Sequence, residues 1–266
     1  MFRRGGIPQS GTDPEKMPST ITPFALAIAI VTFLLAGFVK GVIGMGLPTI
    51  AMAFLTLVLP PAEAASLLIV PSLVTNVWQM MAGANLHSLV RRFWPMMAGI
   101  IIGSFAGIGV MAHGKTGDIL IFLGLALMVY ALFGLSLLRF SIPARHERWL
   151  APLVGGATGL ITAATGVFAI PSVPYLGSLG LAKDELIQAL GLSFTISTVA
   201  LGAVLMRNAS FHGTTILLSC ASLLPALLGV VLGNRLRRRV NEAMFRRVFY
   251  IGLLLIGGYF ASGFVV

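Results

Sequence analysis

The sequence predicts an all-α protein: a polytopic transmembrane bundle of 8 to 10 membrane segments, in two duplicated halves with broken, glycine-rich helices. Three observations predict it. Of 266 residues 57% are hydrophobic and 10% charged, with a mean hydropathy of +0.97, so there is too little polar surface to cover a water-soluble globule. Apolar stretches near the ~20 residues that a helix needs to cross a hydrocarbon core recur from Ile21 to Val266. The small-residue pattern of the first half returns in the second.

Residues 1–20 are polar and rich in Gly, Pro and Ser, which predicts a disordered tail. The apolar run that follows is too long, and lacks the small-residue cleavage site, for a removed signal, so the first helix stays. Breaking the chain at Pro, Gly and charged clusters gives segments 21–40, 42–59, 62–83, 93–112 and 117–138, then 149–163, 166–178, 183–206, 213–236 and 245–265. They group into a first transmembrane repeat, 21–140, and a second, 149–266. Gly37-x-x-x-Gly41 answers Gly155-x-x-x-Gly159, and Gly103-x-x-x-Gly107 answers Gly229-x-x-x-Gly233. Glu63 opens the third segment as Asp184 opens the eighth, and Ser72, Thr75 and Asn76 fall near Ser193, Ile196 and Ser197.

A net charge of +10 raises the question of nucleic acid, but the cations sit in short loops between apolar runs, not on a continuous basic face. They read as cytoplasmic retention signals. The basic loops 87–92, 139–148 and 235–247 share one side if all ten segments cross and both chain ends face outward, which makes the halves inverted. Arg3, Arg4 and Lys16 stand against that layout. In an alternative with eight crossings, the short second and seventh segments are re-entrant.

The chemistry concentrates where glycines interrupt helices. Between the first two segments, Gly37, Gly41, Gly44, Gly46 and Pro48 disfavour a continuous helix. A break inside the membrane frees N–H groups at the start of the next half-helix, and with its dipole these form an anion site. Thr162, Thr165 and Gly166, ahead of Pro171, do the same in the second half. The competing reading of Gly37, Gly41, Gly155 and Gly159 is close helix packing, which is also the better reading of Gly103, Gly107, Gly229 and Gly233.

Lys40 either strengthens the anion site, since a buried charge costs at least ~3 kcal/mol and marks function, or snorkels from a helix end to the interface. Ser72, Thr75, Asn76 and Gln79 form one polar helix face; Ser193 and Ser197 share a face in the eighth segment, Thr195 and Thr198 another. Asn76 and Gln79 read as functional, the hydroxyls as structural. Glu63, Asp184 and Glu185 are explained by helix starts, and the single cysteine, Cys220, reads as packing. The four histidines are too scattered for a metal set, and no P-loop or His-Glu-x-x-His pattern occurs, so neither metal nor cofactor is implied.

The glycine break from Gly37 to Gly46, the short apolar segment after it, the helix start Ala62-Glu-Ala-Ala-Ser66 and the Gly103-x-x-x-Gly107 helix, duplicated along residues 22–263, resemble the TauE/SafE family of sulfite exporters. Met45 and Leu47 around Gly46, and Ala163 and Ala164 in the second copy, depart from the family's glycine cluster. The resemblance implies a multi-pass carrier of the bacterial plasma (inner) membrane that exports small sulfur-containing anions such as sulfite or organosulfonates. Its expected partners are a small anionic substrate and membrane lipid, not nucleic acid, and a homodimer if packing glycines face lipid. The expected substrate-binding set is Lys40, Gly41, Gly44, Gly46, Asn76, Gln79, Thr162, Thr165, Gly166, Ser193 and Ser197. The rival readings are a non-transporting membrane scaffold or assembly factor, or a carrier of another small solute. An intramembrane enzyme lacks a nucleophile with a matched base.

Overall fold

The computed structural model describes residues 23–136, 141–208, 210–211, 213–237, 239 and 241–263; the polar tail at 1–20, Arg139 and His212 lie outside the described residues. All regular structure among the described residues is helical. The elements are α1 (Pro23–Ile43), α2 (Leu47–Leu55), α3 (Pro61–Met81), α4 (Leu86–Ala106), the single turn α5 (Val110–His113), α6 (Thr116–Leu135), α7 (Ala144–Thr165), α8 (Ser172–Gly177), α9 (Lys183–Arg207), α10 (Gly213–Leu236) and α11 (Glu242–Ala261). Six of the long helices, α1, α3, α6, α9, α10 and α11, are apolar enough over their length to cross a membrane.

The other two long helices, α4 and α7, have 21 and 22 residues but open on charged turns with Arg91 and Arg92, and with Arg145, Glu147 and Arg148. Hydropathy therefore starts them at 93 and 149, late by one to two turns, because a helical turn lying at the membrane surface is not apolar. Pro71, Pro95, Pro152 and Pro225 lie inside helices without ending them, as membrane helices tolerate.

The helices pack in pairs whose faces are set by small residues. A Cβ on Gly37 would lie 2.1 Å from the Ala226 carbonyl oxygen, and one on Gly41 2.4 Å from that of Val230, so α1 and α10 run parallel with backbones in contact. Likewise α7 runs parallel to α4: Gly155 abuts Met96, Gly159 abuts Ile100, and Gly103 abuts Gly156. In contrast α3 and α9 are antiparallel, with Asn76 against Thr198 and Met80 against Gly191. So are α6 and α11, with Gly124 against Gly257 and Gly134 against Tyr250. Exchanging α1, α3, α4 and α6 for α7, α9, α10 and α11 maps this pairing onto itself. The first helix of each half packs on the fourth helix of the other, and the halves interlock.

Because α1 and α3 begin at the same end of the bundle, residues 44–60 must bring the chain back; Leu59 lines one cavity with Leu26 and Leu67 there. Residues 166–178 make the equivalent return, ending where α7 starts: Ile142 N–H donates to the Ser178 carbonyl (3.1 Å) and the Tyr175 hydroxyl to that of Glu147 (3.0 Å). At 9 and 6 residues, α2 and α8 are about 14 and 9 Å long, too short to span the ~30 Å core as helices. The chain therefore traverses the bundle ten times, eight times as whole helices and twice as broken segments.

One end gathers the starts of α4, α7, α9 and α11 and with them the described residues of all three basic loops. The Arg92 guanidinium donates to both Glu147 carboxylate oxygens there (2.6 and 2.8 Å), while Lys183 and Arg237 flank Glu242 (3.8 and 3.7 Å). Trp78, Trp94 and Trp149, the three tryptophans of the chain, are exposed near this end, as an interfacial aromatic belt requires.

Candidate functional site

Lys40 lies one turn before the end of α1 and is 6% exposed. Its Nζ donates to Thr75 Oγ1 (3.1 Å) and to Asn76 Oδ1, and the Asn76 amide donates onward to Thr198 Oγ1 (3.2 Å). The Thr75 and Thr198 hydroxyls give their own protons to the carbonyls one turn back, Pro71 (2.7 Å) and Phe194 (2.6 Å). Their lone pairs are thereby left to accept from Lys40 and Asn76. A single polar chain thus joins α1, α3 and α9 where the two halves meet. It contains no carboxylate, and two of the three ammonium donors have partners among the described residues. Of the two readings of Lys40, the geometry selects burial over snorkelling.

The first break follows directly. Gly44 N–H closes α1 on the Lys40 carbonyl (2.7 Å), and the chain then turns through Gly44 (φ +80°) and Gly46 (φ +103°), a left-handed conformation that favours glycine. Gly46 caps α2 without a side-chain hydrogen bond, Pro48 brings no donor, and the Leu47 and Thr49 N–H groups face no intrahelical acceptor. The second break is sealed by its own side chains. Gly166 (φ +71°) donates to the Thr162 carbonyl (2.8 Å), Thr165 Oγ1 accepts from Val167 N–H (3.2 Å), and the Thr162 hydroxyl donates to the Val167 carbonyl (3.3 Å). The two breaks expected from the sequence are thus unequal.

Three residues sit differently from what the sequence suggests. Gly41 lies in the α1–α10 seam, not at the break, because α1 runs on to Ile43. Gln79, expected to be functional, donates its amide to the Ile187 carbonyl (2.9 Å) and ties α3 to α9. Cys220 is exposed on α10 and fills no interior space. Ser193 and Ser197, together with Ser72 one turn from Asn76, are buried hydroxyls without a hydrogen-bond partner among the described residues. An unmet hydroxyl in an apolar interior costs roughly 1–3 kcal/mol, so these three favour water or a polar ligand nearby.

The sequence reading missed two contributors. The Gln188 amide donates to the Met80 and Gly83 carbonyls (2.8 Å each), and its oxygen accepts from Asn85 N–H (3.1 Å), sealing the α3–α4 turn. The Gln188, Gly191, Thr195 and Thr198 stripe, at helical spacing, was the available signal. Also unforeseen is a cavity of ≈ 1020 Å³ at the basic end, reached by Met45, Tyr130, Tyr250, Arg246 and Arg247. Neither Lys40 nor Asn76 lines it.

No curated protein and no solved structure matches the chain. The family model described as sulfite exporter TauE/SafE matches residues 29–260, from the first helix into the last. That match, over nearly the whole length of an all-helical bundle with six helices long and apolar enough to cross a membrane, places this chain in the TauE/SafE sulfite exporter family of multi-pass membrane transport proteins.

Proposed function

We propose that this protein exports a small sulfur-containing anion, sulfite or an organosulfonate, across the bacterial plasma membrane as a secondary carrier. The single observation that carries the reading is the Lys40 ammonium, buried with hydroxyl and amide partners but no carboxylate among the described residues. An ammonium without a counter-ion is costly in a low-dielectric interior, and a bound anion supplies the missing charge. In this reading Lys40 and Asn76 hold the anion, the free N–H groups after Gly46 approach it from the break, and Ser72 adds a hydroxyl. Gly44 supplies the hinge. Thr162, Thr165, Gly166, Ser193 and Ser197 act from the second half once the site rearranges.

The two transmembrane repeats, 21–140 and 149–266, exchange exposure of this site by moving against each other, which the symmetric pairing of their helices supports. The basic end faces the cytoplasm by the positive-inside rule. Sulfite efflux from proteoliposomes tests the proposal. Flux with the natural sequence, at least about tenfold lower with Lys40→Gln that inserts and melts normally, is the expected outcome. Equal flux in the two, or none above empty vesicles with any small sulfonate, returns the protein to the scaffold reading.

A further inference from the structure

We infer that the cavity at the basic end is an anion antechamber, a low-affinity outer site where Arg246 and Arg247 collect a small oxyanion or sulfonate, closed inward by the contact of Tyr130 with Met45. The onward step to Lys40 rests on the transport reading; the antechamber itself does not.

The cavity opens among α6, α8 and α11, and among the described residues no acidic side chain lines it. Glu242, the one acid in the first turn of α11, is already flanked by Lys183 (3.8 Å) and Arg237 (3.7 Å). Arg246 and Arg247, one turn further along that helix, are exposed and make no ion pair among the described residues. Two unpaired guanidiniums over a largely apolar wall focus a positive field into the space and raise the local concentration of anions. At ≈ 1020 Å³ the space is many times larger than a bare oxyanion, so it gathers anions and does not select among them.

The inner wall is built to part. The Tyr130 hydroxyl donates to Met45 Sδ (3.1 Å), a weak acceptor, and Met45 stands between the two left-handed glycines of the break. Tyr130 is braced edge-on by Tyr250 (5.3 Å) and Phe249 (6.4 Å), whereas a Cβ on Gly44 would meet nothing within 4 Å. The ring is fixed and the hinge has room, so Met45 is the element free to move. Lys40 lies five residues before Met45 in the chain, and its carbonyl accepts from Gly44 N–H at the start of the same break (2.7 Å).

The test measures thiol labelling and flux on the same protein. With Cys220→Ser as background, Ser141→Cys places a thiol on the chamber wall. A negatively charged methanethiosulfonate should modify it about tenfold faster than a positively charged one of equal size, and sulfite should slow the reaction. Arg246→Gln with Arg247→Gln should bring the two rates together and raise the KM for sulfite flux several-fold while leaving the maximal rate. Equal labelling rates in the unsubstituted arginine background, or a rate ratio that survives both substitutions, overturns the antechamber even where flux is normal. A charge preference without flux upholds the antechamber and removes the transport reading instead.

Discussion

An ammonium held only by neutral partners behaves differently from one in an ion pair, and the pocket around Lys40 can be converted from one to the other. Asn76→Asp supplies an internal carboxylate where Asn76 Oδ1 now accepts from Lys40. Thermal stability in detergent should be kept, while sulfite flux should fall more than about tenfold, because the new carboxylate occupies the anion's place. Retained flux in that variant argues against Lys40 as an anion ligand. Gln79→Ala makes the opposite case: losing the bond to the Ile187 carbonyl should lower stability by ~0.6–2 kcal/mol with no change in the KM for sulfite, which melting and flux measurements on one preparation can check. Before folding, both positions read alike, as polar residues on one helix face; only the partner each one found distinguishes them, Lys40 for Asn76 and the Ile187 carbonyl for Gln79.

Helices in this bundle meet through glycine, and the position of each glycine sets the cost of replacing it. On Gly103 a Cβ would fall 2.0 Å from the Gly156 carbonyl oxygen, backbone that cannot yield without parting α4 from α7. Gly103→Ala should destabilise by about 3 kcal/mol or more, or abolish folded yield. Gly258 and Gly252 on α11 meet nothing within 4 Å, so Ala there should be neutral or stabilise by up to ~1 kcal/mol. Equal melting shifts in Gly103→Ala and Gly258→Ala would remove the packing argument. The spacing of Gly37 with Gly41, and of Gly155 with Gly159, was legible as a contact surface or as a break. The choice was not, because a helix seam and a helix end use the same residue and differ only in whether another backbone arrives.

At the scale of the molecule, the ten traverses put every described basic-loop residue at one end and the 107–115 turn at the other. Orientation in the membrane follows from the charge. In a Cys220→Ser background, an impermeant thiol reagent should label Lys115→Cys in intact cells and Ser141→Cys only after permeabilisation. The reverse pattern would invert the export direction inferred above. Many large apolar side chains are exposed along the helices, Leu255, Leu217 and Phe24 among them. Such a surface is stable only in lipid, which makes the bilayer part of the folded state.

The sequence by itself determined the solvent and the helical class, and it narrowed the passages to eight or ten and located the basic loops. These depend on composition and on order along the chain, which folding does not alter. Tertiary structure alone decided that α1 packs on α10 and α7 on α4, that Lys40 turns inward to Thr75 and Asn76, and that the second break closes on its own threonines while the first stays open. The helix pairings and the Lys40 contacts depend on which backbone or polar group comes within about 3 Å, a distance set by residues more than thirty positions away in the chain, whereas the second break closes through groups two to five residues apart that only the folded backbone aligns.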